Sequence, residues 1–345
     1  MTATLKSPRL LTLLIPALVA AAPAPPPALA PYIHDGRFAP GDYQWLRGKF
    51  DGASAAEVAA YKALEDWRLR CRASDMAETR AELTELGVKA GASLDTIPYR
   101  TLVCDQVATE PESLNLRDWN GFARDVALVR PIAQGFLTAV AMAEDRVSDD
   151  GPELRDTLNA KVIGEQMLRS GMLWATGSSV GDVPPPALTP QQRGILGSEL
   201  AIALAIRDSA NTAWLKNIVA KQGWPKRSQV GKSAAKMAWL LVQHADADPA
   251  FQVRALRLME PLVPAGEVDR RSYAYLYDRV MLKLVGTQRY ATQLICEKGR
   301  LLPQPLEDEH KVDAWRREAG METLAEYESR ALKELGSCQE DPPAG

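Results

Sequence analysis

VGKSAAKMAWLLVQH, residues 230–244, and RSYAYLYDRVMLKLV, residues 271–285, are the two stretches from which the rest of the chain is read. In the first, Ala234, Met237, Leu240 and Leu241 recur at the three-and-four spacing of one helical face. His244 falls seven residues after Met237 and three after Leu241, so that face carries it inward. The second stretch is apolar on nearly every side, as a helix enclosed in a core should be. Only Asp278, Arg279 and Lys283 interrupt its later turns. An unpaired carboxylate is costly to bury, so Asp278 must meet a cation, a donor or a proton. Its neighbour Arg279 points about 100° away around the helix, which places the expected partner on another element.

The chain has 345 residues, a formal net charge of −3, 46% hydrophobic and 25% charged residues. That is ordinary globular composition, enough for one large or two medium domains. A balance this close to neutral argues against a dedicated nucleic-acid binder, which carries a basic excess. Lys6 and Arg9 precede an apolar run from Leu10 to Ala22. This is the plan of a secretory signal and is too short for a comfortable membrane span. Cleavage is expected after Ala21, giving a periplasmic or secreted protein with no stable membrane span once the signal is removed. Export puts Cys71, Cys104, Cys296 and Cys338 in an oxidising compartment. Of the three possible pairings, Cys71–Cys104 and Cys296–Cys338 are favoured because each joins nearby segments. No close Cys-x-x-Cys spacing supports zinc.

Punctuation residues divide the remainder. A Pro/Ala-rich connector occupies residues 22–40, an N-terminal helical region 41–176, a linker 177–190 (GSSVGDVPPPALTP), and a C-terminal helical domain 191–340. Ser54 with Glu57 forms a capping box, Ser74 is placed to start another helix, and Pro131 is expected to kink or split the helix around it. Thr189-Pro190 opens a helix to about Ile206, with a second from about Asn211 to Gln222. Residues 290–305, with Gly299 between two apolar pairs, form the expected hairpin. The expected fold is an all-α, irregular multi-helix bundle with one small β-hairpin near the C-terminus.

Two strings mimic catalytic motifs and lack their context. Gly177-Ser178-Ser179-Val180-Gly181 follows a helix rather than a strand, so it is no nucleophile elbow. Gly231-Lys232-Ser233 lacks the first glycine of a phosphate loop, since position 226 is Lys226. Between Ser209 and Gln243 six cations and no acid occur, a candidate patch for a phosphate, a carboxylate or an anionic envelope polymer. Gln243-His244-Ala245-Asp246 sets an inward histidine beside a carboxylate at a helix end, and Asp248 before Pro249 reads as the next N-cap. A metal site built from His244, Asp246 and Asp278 would lack a further ligand. The polar run 286–293 offers Gln288, Thr292 and Gln293 either to a neutral ligand or to the preceding helix end.

Gly223-Trp224-Pro225, Gln243-His244-Ala245-Asp246, Asp278-Arg279, and Gly286 with Gln288, Tyr290 and Thr292-Gln293 occur in an order that resembles a bacterial family of domains of unknown function. Its members read GWP, QHAD, DR and GxxQxYGTQ. The resemblance spans about residues 210–327, and Ala291 stands where that family usually has glycine. It implies no activity.

The candidate pocket therefore comprises His244 as acid/base or ligand donor, Asp278 as its orienter or the partner of a cation, Arg279 as an anion contact, and Trp224, Gln243, Asp246, Gln288, Thr292 and Gln293 as ligand-binding residues. A hydrolase or transferase acting at the cell envelope is one reading. A non-catalytic module binding a small molecule, a peptide or an anionic polymer is the other. No cofactor is indicated by name.

Overall fold

Ser54 begins the first long helix as its capping box requires: its hydroxyl accepts the Glu57 amide while the Glu57 carboxylate accepts the Ser54 amide at 2.7 Å. Helix α1 then runs unbroken over Ala55–Glu85, past the expected start at Ser74. Its buried stripe explains why. Leu64, Trp67, Cys71, Asp75, Thr79 and Leu83 continue at three-and-four spacing, so tertiary burial outweighs the modest cost of a mid-helix serine. The computed structural model describes residues 22–148 and 153–335. The expected signal segment, 1–21, lies outside them.

Helix α2 covers Leu102–Ala108, α3 Trp119–Ser148, α4 Leu154–Ala175, and α5 Pro190–Gln222. Pro131 does not split α3, because Ala127 and Pro131 both lie on its exposed side, where the carbonyl that loses its donor is open to water. Nor does α5 stop at Ile206. Leu196, Leu200, Ala203, Asn211 and Leu215 carry one buried face through it, and Gly223, at φ 75°, ends it. The chain continues through α6 (Arg227–Gln243), α7 (Pro249–Met259), α8 (Arg270–Val285), α9 (Val312–Glu318) and α10 (Leu324–Leu335). Within α6, Gly231 has φ 81° and ψ 167°, a kink that only glycine takes without strain.

Among the described residues, strand structure is confined to two antiparallel ribbons. β1 (Ile33–His34) pairs with β2 (Arg37–Phe38), which sequence patterning did not reveal. β3 (Leu294–Glu297) pairs with β4 (Arg300–Pro303) in the expected hairpin, turning through Lys298 and Gly299, both at positive φ.

The 177–190 segment separates helices in sequence but not in packing. One apolar cluster joins Leu29, Trp45, Trp67, Phe122 and Leu168 to Ile195 and Leu200; the other joins Leu83, Leu94, Leu158 and Val162 to Trp224, Leu241, Phe251 and Leu276. Each core therefore draws on both sides of the linker. Helix α3 is long and apolar enough to cross a bilayer, by length and composition alone; here it packs on α4 and α5.

Cys71 of α1 and Cys104 of α2 are joined in a disulfide. In the chain-entropy description, closing a loop of this size contributes about 3–4 kcal/mol. The other expected pair includes Cys338, which lies outside the described residues.

Candidate functional site

His244 is the C-cap residue of α6, where the helix face delivers it to the wall of a cleft of about 430 Å³. Its Nδ1 meets the Glu165 carboxylate of α4, a side chain with no exposed surface. Glu165 is further held by Gln166 at 3.0 Å, Arg169 at 3.4 Å and Asn211 at 3.5 Å. Burial pushes this carboxyl up, but the His244 and Arg169 interactions outweigh it, and it titrates below its ordinary range. The His244 Nε2 has no hydrogen bond among the described residues, and the ring keeps 14% of its surface exposed.

A second titratable group stands in the same cleft. Asp208 of α5 accepts from Arg169 Nη2 at 2.7 Å through Oδ2, while its buried Oδ1 has no partner among the described residues. Burial, together with the Glu165 and Asp246 charges and against Arg169, pushes Asp208 up to about 7. Asp105 of α2 also lines the cleft and is pushed up to about 6 by burial, with the Tyr99 amide and Arg72 opposing. Lys216, two turns beyond Asp208 on α5, pairs with Asp248 at 2.5 Å. Asp248 caps α7 as its sequence indicates, accepting the Phe251 amide at 2.9 Å.

The raised Asp208 makes the stability of the fold depend on pH. A carboxyl that holds its proton more tightly folded than unfolded stabilises the fold below about pH 4, and that stability is lost as pH rises to about 7. At about 1.4 kcal/mol per unit, the loss is up to roughly 4 kcal/mol. Asp208→Asn should therefore melt higher than the wild type at pH 8, the advantage shrinking to nothing near pH 4. Parallel thermal melts at the two pH values check this; an equal offset at both would exclude it.

Asp246 sits in the wall shared with a neighbouring cleft of about 550 Å³. Arg279 (Nε at 3.0 Å) and Lys283, one turn apart on α8, both hold its carboxylate, as does Gln252 at 3.2 Å. Burial opposes the charge, but these cations overcome it and leave Asp246 well below the usual carboxylate range. Arg279 thus gives Nε and Nη2 to Asp246, and it also lines this second cleft. Gln293 lines this second cleft. Gln243 is buried, with an Oε1 that lacks a partner among the described residues.

Asp278 is not the orienter of His244. It is fully buried, lines neither cleft, and accepts the backbone amides of Arg289, Tyr290 and Thr292 at 2.8–2.9 Å. Burial raises its carboxyl, and those amides pull it back. From the other side Arg316, also fully buried, donates to the Tyr290 carbonyl at 2.6 Å. This brace holds Ala291 at φ 53°, the left-handed region in which glycine is at ease and alanine costs roughly 1 kcal/mol. Gln288 likewise serves the fold: its amide donates to the carbonyls of Gln293 and Gln304 and accepts the Gln293 amide. Thr292 is buried and hydrogen-bonded to the Gln293 side chain at 3.1 Å. Trp224 lines a separate cleft.

Glu165, Arg169, Asp208 and Asp105 were not singled out by sequence. A signal existed for the first: Glu165 interrupts the Leu158, Val162, Leu168 stripe of α4, and Arg169 stands four residues on. Among the described residues, no group of three or more His, Cys, Asp or Glu side chains is disposed to hold a metal ion.

Residues 191–336 match the model of a family of unknown function, DUF6624. This agrees with the expectation of an uncharacterised family over the C-terminal part. His244, Asp208, Asp246 and Asp278 fall within the match; Glu165 and Arg169 precede it. No curated protein and no solved structure matches the chain.

Proposed function

We propose that the His244 cleft is an active site for acid–base hydrolysis or group transfer on a polar substrate. The observation that carries this reading is the link from His244 through Glu165 and Arg169 to Asp208, which sets two titratable groups on one cleft. A carboxylate on Nδ1 fixes the tautomer in which Nε2 is the acceptor, the state of a general base. His244 takes the proton of an attacking water or hydroxyl; Asp208, protonated in part near neutrality, gives one to the leaving group. Solvent exchange then resets both. The Glu165 anion stabilises the imidazolium formed on the way.

The charged-then-apolar N-terminus and the Cys71–Cys104 disulfide support a periplasmic or secreted location for this chemistry. The experiment is a turnover screen of the purified full chain against chromogenic esters, phosphodiesters, glycosides and peptides. Turnover with at least one class is expected. If no class turns over, and no titration of these compounds shifts the His244 ring resonances, the active-site reading is lost.

A further inference from the structure

We infer that the chain carries a second ligand site, on the opposite side of α6 from its core-facing stripe, for a small amphiphilic anion: a flat apolar body bearing a carboxylate or phosphate. The site is a cleft of about 360 Å³, and none of its lining residues is shared with the His244 cleft, so it stands independently of the reading proposed for His244. That volume is at the small end of those that hold compact organic ligands.

Three aromatic rings form its apolar part. Trp224, from the loop between α5 and α6, is almost fully buried; Trp239 comes from α6 and Tyr275 from α8. The Trp239 indole N–H is buried without a hydrogen-bond partner among the described residues. A buried donor left unmade is unfavourable, and because Trp239 lines the cleft, a small turn of its ring would bring this N–H to an acceptor supplied by a ligand.

Four cations converge on the same space: Arg227, Lys232 and Lys236 from α6 and Arg271 from α8. Lys232, Lys236 and Trp239 recur at four and three residues, which puts them on one helical face. Among the described residues none of the four cations is in an ion pair, though Glu267 attracts Arg227 and Glu322 attracts Arg271 from farther off; later on α8, Arg279 and Lys283 are both paired with Asp246. Two carboxylates also line the cleft, but both are engaged by helix starts. Glu267 accepts the Ser228 amide at 2.8 Å, and Asp269 accepts the Ser272 amide at 2.8 Å as the N-cap of α8. Four cations against two carboxylates leave the lining of this apolar floor with a net positive charge, which favours an anionic guest. Cations beside aromatic faces suit a ligand that presents both an oxyanion and a ring.

The test titrates the full chain with 2-naphthoate and 1-naphthyl phosphate, reading tryptophan fluorescence and calorimetry, with neutral 2-naphthamide and inorganic phosphate as comparisons. At least one aromatic anion should bind with Kd below about 1 mM, and the tighter of the two identifies the oxyanion. The amide and inorganic phosphate should each bind at least about tenfold more weakly, since each supplies only half of the recognition. Lys232→Gln with Lys236→Gln should weaken the aromatic anion by about tenfold or more without lowering the thermal midpoint, because the lysines make no ion pair to lose. Trp239→Phe, which keeps the ring and removes the N–H, should weaken it several-fold. The assignment is overturned if the neutral amide binds as well as the acid, if the double variant binds undiminished, or if neither aromatic anion binds.

Discussion

Glu165→Gln should cut kcat by about 10²–10⁴-fold in whichever reaction the cleft performs, with KM changing far less. The glutamine oxygen can still accept from His244 Nδ1, so the ring stays oriented, but the charge that favours the imidazolium is gone. Arg169 keeps Asp208 as its partner at 2.7 Å, which limits the structural cost of removing the Glu165 charge. His244→Gln should be at least as damaging. The informative variant is the double one: residues acting as a unit are not additive, so Glu165→Gln with His244→Gln should be no slower than His244→Gln alone. Steady-state kinetics on the three variants, beside their thermal midpoints, decide it. If the two losses multiply, or if His244→Gln lowers the midpoint by more than about 10 °C, His244 belongs to the core and not to the chemistry.

Asp278→Ala should do the reverse, unfolding the protein more easily without first touching the chemistry. Three backbone amides, from Arg289, Tyr290 and Thr292, would lose their acceptor inside the core. At about 1–3 kcal/mol for each buried donor left without a partner, tempered by relaxation and water entry, a net loss of about 3–5 kcal/mol is expected. For a chain of this size that lowers the midpoint by roughly 4–7 °C. The side chains of Tyr277, Tyr290 and Trp315 pack around Arg289, so near-ultraviolet circular dichroism should weaken together with the midpoint. A normal melt with abolished turnover would instead return Asp278 to the site.

The contrast between these two residues shows what sequence could and could not disclose. Both were legible as polar groups on buried faces, because helical periodicity reports which face is dry. Periodicity says nothing about what lies across the gap. His244 finds Glu165, 79 residues earlier, and Asp278 finds the amides of a loop that follows it by 11–14 residues. Backbone donors carry no signature in side-chain identity, so a carboxylate that folds a loop and one that orients a histidine look alike in one dimension. Helix ends set by local chemistry, at Ser54, Thr189 and Asp248, were readable for the opposite reason: cap and capped amide are three residues apart. The expected breaks at Ser74 and near Ile206 failed where long buried stripes overrode local preference.

Helix α4 contributes the carboxylate behind His244 and packs along both α5 and α6, yet it ends before the segment that matches DUF6624 begins. A fragment trimmed to that segment would keep His244 and Asp208 while discarding Glu165 and Arg169. It would also strip α6 of the apolar neighbours Leu158 and Val162. The smallest piece of this molecule worth expressing by itself is therefore bounded by its packing, and any truncation intended to isolate the chemistry must begin upstream of Leu154.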